Sequence, residues 1–266
     1  MIKRYHEAPI SIFDKVQEVT DGDYALVHLF EKNELYYNLF VQAINKGRDV
    51  LLDNSLFELG SAFDSDRYVY WINRLKPTWY IVPDSWKNGE ETTRMFFEFL
   101  NRYPKGTLPG KIIGVAQGNT IEEVAKCYES IEPYCDKVAF NLDFSSYSGA
   151  PKSGVPHCLR MSIGRWKMIC DLYNNDVINR NKPHHLLGCG VPQEMIWYNK
   201  KWKWIDSVDT CNPVIHGMYQ ISYDKILPGL TMKKSQKMCD FIDEPIDDAQ
   251  LGIIMRNIEE MKRYCQ

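Results

Sequence analysis

The sequence predicts an α/β fold, a single (β/α)₈ TIM barrel without a zinc subdomain that takes up residues 1–266. Three observations predict it. Short apolar, β-branched runs alternate with segments of helical periodicity, which is typical of parallel strands joined by helical crossovers. The length of 266 residues is close to the roughly 250 that such a barrel needs. Polar side chains end most of the apolar runs, as they do on the active-site side of a barrel.

Seven runs of the sequence are predicted as strands. They are ALVHLF (25–30), DVLLDNS (49–55), WYIVPDS (79–85), KIIGVAQG (111–118), KVAFNLD (137–143), HHLLGCG (184–190) and WIDSVDT (204–210). An eighth strand must close the barrel, and we place it near 223–227 or 238–243. A doubly wound open sheet is the alternative fold, but no GxGxxG motif follows the first predicted strand.

Helical periodicity marks the segments between the strands and after the last one. The clearest of these segments are 34–47, 65–77, 120–133 and 247–264. Gly47 predicts a C-terminal cap, and Pro77 predicts the end of its helix. Thr120 predicts an N-cap, with Glu123 at the capping-box position.

Composition and charge exclude several classes of protein. The net charge of −3 does not mark a nucleic-acid-binding protein, although a basic face is compatible with it. No run approaches the roughly 18 apolar residues of a membrane span, and the start of the chain lacks the apolar core of a signal peptide. The eight cysteines form no CxxC pair, and no histidine lies at zinc-finger spacing from a pair of cysteines. We therefore expect a cytoplasmic protein with reduced cysteines, no bound metal and no membrane partner.

Polar residues end several of the predicted strands, where a barrel enzyme carries its active site. These residues are Asp53 with Asn54, Asp84, Gln117, Asp143 and Asp209. Carboxylates that meet at one barrel mouth favour glycosyl chemistry, in which one attacks or stabilises an anomeric carbon and another moves protons. The alternative is that each aspartate only caps a following turn. His184 and His185 are adjacent on one strand and face opposite ways, which argues against a shared metal.

The segment 186–213, LLGCGVPQEMIWYNKKWKWIDSVDTCNP, resembles the late barrel region of the tRNA-guanine transglycosylases. In that family a strand ends in a Gly-x-Gly-x-Pro turn, and the next strand ends in the nucleophilic aspartate. Gly188, Gly190 and Pro192 stand at the places of the turn. The resemblance thus implies that Asp209 is the nucleophile and that Gly188 and Gly190 contact the substrate.

The resemblance continues upstream and covers roughly residues 49–213. LLDNSLFELG matches the family motif that holds a second catalytic aspartate, which implies that role for Asp53, with Asn54 beside it in the substrate site. IVPDSW matches the strand end that carries the base-recognising aspartate, which implies Asp84. GVAQGNTIEE matches the Val-Gln-Gly motif and implies that Gln117 also binds the base.

The chain also departs from the tRNA-modifying members of the family. The three cysteines and one histidine after Asp209 (Cys211, His216, Cys239 and Cys265) are scattered and do not form the family's zinc-site cluster. The chain also has little length beyond the barrel, and Leu56 and Phe57 stand in place of a Gly-Gly pair. In these respects it is more similar to the DNA 7-deazaguanine transglycosylases of phages and bacterial DNA-modification clusters. The resemblance implies exchange of guanine in a polynucleotide, DNA in preference to tRNA, for a 7-deazaguanine base. It implies a covalent Asp-glycosyl intermediate, no cofactor, and the host cytoplasm as location if a phage encodes the protein.

Polynucleotide binding needs cations for the phosphates. Candidates are Lys152, Arg160, Arg165 and Lys167 after the fifth predicted strand, Lys200, Lys201 and Lys203 before the seventh, and Lys233, Lys234 and Lys237 beyond it. Three other functions stay open. They are exchange into tRNA, carboxylate-dependent hydrolysis of glycosides or nucleosides, and a non-catalytic barrel that binds nucleic acid or a partner subunit.

Overall fold

The computed structural model describes residues 1–223 and 237–266. Eight parallel strands form a closed barrel in chain order, which confirms the predicted (β/α)₈ fold. The strands are β1 Lys3–His6, β2 Gly22–Leu26, β3 Val50–Asp53, β4 Trp79–Ile81, β5 Lys111–Ala116, β6 Lys137–Phe140, β7 His184–Leu186 and β8 Ile205–Asp209. The helices are α1 Phe13–Gln17, α2 Val27–Phe30, α3 Glu34–Asn45, α4 Leu56–Leu59, α5 Ser65–Leu75, α6 Gly89–Arg102, α7 Ile121–Ile131, α8 His157–Asn174, α9 Glu194–Asn199, α10 Asn212–Met218 and α11 Asp248–Tyr264.

The strand that completes the barrel is the first one in the chain, and our placement of it near the C-terminus was wrong. β1 pairs in parallel with β8, with Tyr5 opposite Asp209. The segment 238–243 contains a 3₁₀ turn, and most of 223–227 lies outside the described residues. The sequence KRYH looks polar, but Arg4 is buried because its guanidinium pairs with Asp21 at 2.8 Å. A tertiary ion pair thus permits a charged side chain in a buried strand.

The first predicted strand, 25–30, is also partly wrong. β2 ends at Leu26, and 27–30 form the short helix α2. The true strand begins at Gly22 and includes Asp23, whose buried carboxylate pairs with Arg48 at 2.6 Å. The hydrophobic pattern did not reveal the start of this strand, because it begins with a glycine and an aspartate, and both residue types are rare in strands.

The chain divides into two compact units, and the prediction of one domain over 1–266 stays a prediction. The first unit comprises Met1–Gly22, Leu142–Cys170 and His185–Gln266, and the second comprises Asp23–Asn141 and Asp171–His184. A core cluster of the first unit packs α1, α10 and α11 together. It is formed by Ala8, Ile12, Val16, Cys211, Val214, Ile215, Met238, Ile254 and Ile258.

The second unit contains β2 from Asp23 onward and all of β3 to β6. These strands are buried almost throughout, as parallel strands covered on both faces are. An aromatic cluster joins α2, α3 and α5. The ring centroid of Phe30 lies 5.2 Å from that of Tyr37 and 5.5 Å from that of Trp71. Such contacts between offset or edge-on rings add to the stability that burial provides.

The predicted helix boundaries largely agree with the structure. Gly47 adopts a left-handed φ of 74° just after α3, and α5 ends before Pro77. The Thr120 side chain accepts from the Glu123 backbone N–H at 3.2 Å, which confirms the N-cap. The Glu123 carboxylate, however, accepts from the backbone N–H of Asn119 at 2.7 Å, one residue before the cap.

Candidate active site

Asp209 is the last residue of β8, and two donors hold one of its carboxylate oxygens. Its Oδ1 atom lies 2.9 Å from His185 Nε2 and accepts from the Gly188 backbone N–H at 3.0 Å. Since a carboxylate only accepts, the imidazole must donate in this pair. Asp209 is 5% exposed, so its carboxylate is fixed at the end of a buried strand and not free in solvent.

His185 connects Asp209 to two other polar side chains of β8. Its Nδ1 atom lies 2.9 Å from Ser207 Oγ, and the Ser207 hydroxyl donates to Asp206 Oδ1 at 2.7 Å. The ring of Tyr5 meets the imidazole edge-on, with 6.0 Å between the centroids. A hydrogen bond at each nitrogen therefore fixes the plane of the ring, and the Nε2–H stays directed at Asp209.

The two glycines of the predicted substrate turn have different structural roles. Gly188 has φ +67°, a left-handed conformation that side chains disfavour. That conformation belongs to the turn that directs its N–H at Asp209. Gly190 packs against α8, where a Cβ atom would lie 2.9 Å from the Cys158 carbonyl oxygen. The Gly-x-Gly pattern is thus explained by one special backbone angle and one close approach.

Asp84 follows β4 and is held by two side-chain amides. Its Oδ1 accepts from Asn54 Nδ2 and its Oδ2 accepts from Gln117 Nε2, both at 2.8 Å. Asp84 is 4% exposed, and this burial raises the pKa of its carboxyl to about 6, against the opposite effect of the two hydrogen bonds. We call Asp84, Asn54, Gln117 and Asn141 the Asp84 cluster.

The amides of the Asp84 cluster are themselves held in place. Asn54 also donates to the Val82 carbonyl at 3.1 Å and accepts from the Leu56 N–H at 3.0 Å. Gln117 Oε1 accepts from Asn141 Nδ2 at 2.5 Å and from the Lys87 N–H at 3.0 Å. Both amides therefore have one possible orientation, which fixes the position of the Asp84 carboxylate.

Asp53, the last residue of β3, lies beside a strained turn. Its Oδ2 accepts from the Ser55 N–H at 2.8 Å, and Ser55 has a left-handed φ of 59°. The Ser55 hydroxyl lies 2.8 Å from His28 Nδ1, and both residues are buried. Asp53 is 8% exposed. A non-glycine residue at positive φ in a buried polar contact is typical of a functional site.

Two residues that the sequence offered as functional candidates have other partners in the structure. Asp143 accepts from the N–H and the hydroxyl of Ser145, so it caps its own turn, as the alternative interpretation held. Arg165, a candidate for phosphate binding, is 0% exposed and pairs with Glu194 at 2.8 Å. A fully buried guanidinium cannot reach a phosphate, so this prediction was wrong. Lys233 and Lys234 lie outside the described residues.

Sequence reasoning missed His185 and Ser207, which lie beside Asp209, and Asn141, which belongs to the Asp84 cluster. Strand alternation could have indicated His185 and Ser207, because residues two apart on one strand face the same side. Ser207 lies two residues before Asp209 and shares its face of β8, and a histidine on the neighbouring strand can reach both. Asn141 directly follows β6 and gave no pattern of its own.

The cysteines and the acidic groups of the described residues form no recognisable metal centre. All eight cysteines are free thiols, and six of them are buried. Within residues 1–223 and 237–266, no group of three or more His, Cys, Asp or Glu side chains is placed to hold a metal ion. No helix in the same ranges is long and apolar enough to cross a membrane.

No protein-family model matches the chain, and no curated protein matches it with significance.

Proposed function

We propose that this chain is a base-exchange transglycosylase that replaces guanine in a polynucleotide, DNA in preference to tRNA, with a 7-deazaguanine base. The observation that carries the proposal is the state of Asp209. Its Oδ1 takes two donors, while no hydrogen bond joins its Oδ2 to another described residue. An oriented carboxylate with one oxygen unengaged is suited to attack carbon.

In the first half of the proposed reaction, Asp209 Oδ2 attacks the anomeric carbon of the nucleotide. The bond from this carbon to guanine breaks, its electron pair leaves with the base, and a proton from a carboxylic acid neutralises the base. Asp53 is the group to which we assign this proton. In the second half the incoming base loses a proton to the Asp53 carboxylate and displaces Asp209 from the anomeric carbon. The two displacements together retain the configuration of that carbon.

We assign recognition of the base to the Asp84 cluster. A carboxylate at Asp84 accepts from the N1–H and the 2-amino group of a guanine-like base. Gln117 Nε2 uses one hydrogen on Asp84 and keeps the second for the O6 atom of the base. Asn54 already uses both amide hydrogens, on Val82 and Asp84, so we assign it to holding Asp84 and not to contacting the base. A base lacking these groups leaves buried polar atoms unpaired, which supports strong discrimination.

The test is incubation of the protein with labelled guanine and separate DNA and tRNA pools. We expect label in DNA above label in tRNA, and none in either pool with Asp209→Asn. The exposed Asp14→Asn serves as a matched control that removes a carboxylate from the helix α1. Release of free base without incorporation of label would identify a hydrolase instead, and label confined to tRNA would reject the DNA preference alone.

A further inference from the structure

Arg165 lies within α8, in the first unit, and is completely buried. Its Nε and Nη2 atoms donate to the two carboxylate oxygens of Glu194 at 2.8 and 2.9 Å, a bidentate pair. The Tyr198 hydroxyl donates to Glu194 Oε1 at 2.8 Å. Both charged side chains are 0% exposed. Burial is the largest single influence and acts to lower the pKa of the guanidinium. Glu194, together with Tyr198 and Cys189, raises this pKa on balance, so Arg165 stays charged.

The remaining hydrogen bonds of Arg165 go to the turn after β7. Nη1 donates to the Leu187 carbonyl at 2.9 Å, and Nη2 donates to the Gly188 carbonyl at 3.0 Å. Gly188 is the residue whose own N–H donates to Asp209 Oδ1 at 3.0 Å. One peptide segment is thus held from its carbonyl side by Arg165 and presents its N–H side to the carboxylate.

The chemistry of this arrangement favours arginine in particular. A buried ion pair costs desolvation, and apolar residues of similar volume are often as stabilising, so the pair is only weak evidence for a role in stability. The guanidinium fork has five N–H groups in one plane, and here it binds a carboxylate and two carbonyls together. Lysine, with a single nitrogen, does not hold a carboxylate and a turn in a fixed mutual geometry.

We propose that Arg165 is a positioning residue for Asp209, because it fixes the Leu187–Gly188 turn that orients the nucleophile. The inference rests on the proposed function, since it assigns a role in that reaction. It predicts that Arg165 acts on the chemical step and not on the binding of the free base, which we assign to the Asp84 cluster.

The test uses the double variant R165M/E194Q. It removes both charges together, so no buried charge is left unpaired, and the amide that replaces the Glu194 carboxylate can still accept from the Tyr198 hydroxyl. The matched control is R48M/D23N, which neutralises a largely buried ion pair at the start of β2. A third variant, R165K, keeps the charge but loses the fork. Thermal unfolding establishes that each variant is folded.

We expect R165M/E194Q to lower kcat for base exchange by roughly 10- to 100-fold, because small misplacements of a reacting group cost that much. KM for the free base should stay unchanged, R165K should be intermediate, and R48M/D23N should keep the wild-type kcat. Amide hydrogen exchange at Gly188 should be faster in R165M/E194Q, while the amides of β8 keep their protection.

A folded R165M/E194Q protein with wild-type kcat would overturn the positioning role, and so would an equal loss of kcat in R48M/D23N. Failure of the proposed function is a separate result, because then the wild-type protein itself exchanges no base. In that case amide hydrogen exchange at Gly188 is the deciding measurement. An unchanged rate there in R165M/E194Q would show that Arg165 does not fix the Leu187–Gly188 turn.

Discussion

At the scale of single residues, Asp209 and Asp84 are buried carboxylates with different environments. Asp209 is bonded through one oxygen to an imidazole and a backbone N–H, whereas Asp84 is bonded through both oxygens to neutral amides. Burial with only neutral partners raises the pKa of Asp84. The different environments of the two carboxylates fit the two different roles that we assign to them. One carboxylate suits attack on carbon, and the other suits hydrogen bonding to a base.

The first residue-scale prediction concerns Asp209→Asn. An amide keeps the shape and can still accept from Gly188 and His185 through its oxygen, but it is not an anionic nucleophile. We expect base exchange to fall by at least about a thousandfold while the fold is kept, by analogy with other nucleophile deletions. Labelled-guanine incorporation and circular dichroism measure the two parts. Wild-type exchange by the folded variant would reject Asp209 as the nucleophile.

The second prediction is the pH dependence of base binding. The pKa of Asp84 is raised to about 6, so the carboxyl is protonated below that pH in the folded protein and accepts fully only above it. Affinity for 7-deazaguanine should therefore rise as the pH increases through about 6 and level off above it. Isothermal titration calorimetry between pH 5 and 8 measures this, at roughly tenfold per pH unit below the pKa.

The control for that prediction is Asp84→Ala. This variant should bind the free base weakly at every pH, and its affinity should not rise between pH 5 and 8. Polynucleotide affinity should change less than base affinity in this variant, because Asp84 is assigned to the base edge and not to phosphate. Equal losses of both affinities would indicate that Asp84 only supports the end of β4.

At the scale of elements, the packing of α10 on α11 depends on a missing side chain. A Cβ atom at Gly217 would lie 2.3 Å from Ile254 Cγ1 and 2.7 Å from the Ile254 backbone nitrogen. Ile254 belongs to the core cluster of the first unit, so its backbone is not free to move away. A Cβ atom at Gly252, also in α11, would lie 3.7 Å from Arg256 Nη1, and no other described atom outside the adjacent backbone of the helix would be closer.

We predict that Gly217→Ala lowers the free energy of unfolding by about 1–3 kcal/mol, the usual cost of overpacking. Gly252→Ala should raise it by about 0.5–1 kcal/mol, because alanine is the better helix former and has room here. Urea denaturation of both variants measures the difference. Equal effects of the two substitutions would show that the close contact of α10 and α11 does not limit stability.

At the scale of the whole molecule, the net charge of −3 means that any polynucleotide is held by local cationic groups. The resemblance favours DNA, and we predict greater exchange into DNA than into tRNA at matched salt. Phosphate contacts release counterions, so neutralising three phosphates predicts a roughly 40-fold loss of affinity between about 50 and about 200 mM salt. Fluorescence anisotropy with a short oligonucleotide measures this slope. Affinity independent of salt would exclude phosphate contacts as the main source of binding.

The sequence by itself determined the fold class and most of its elements. The alternation of apolar runs and helical segments predicted a (β/α)₈ barrel, and strand-end patterns placed Asp53, Asp84, Gln117 and Asp209 at the carboxyl ends of strands. These features are local, because hydrophobic periodicity and turn residues depend only on residues that are close together in the sequence. They do not depend on which distant residues meet.

Only the tertiary structure decided which strand completes the barrel and which side chains hold the site. β1 was missed because Arg4 is buried with a partner seventeen residues away, and β2 was misplaced because Asp23 is buried with Arg48. His185 and Arg165 lie in no distinctive motif, and their partners, Asp209 and Glu194, lie 24 and 29 positions further along the chain. Burial of a polar group is tolerated only when a partner satisfies it, and folding alone brings that partner within reach.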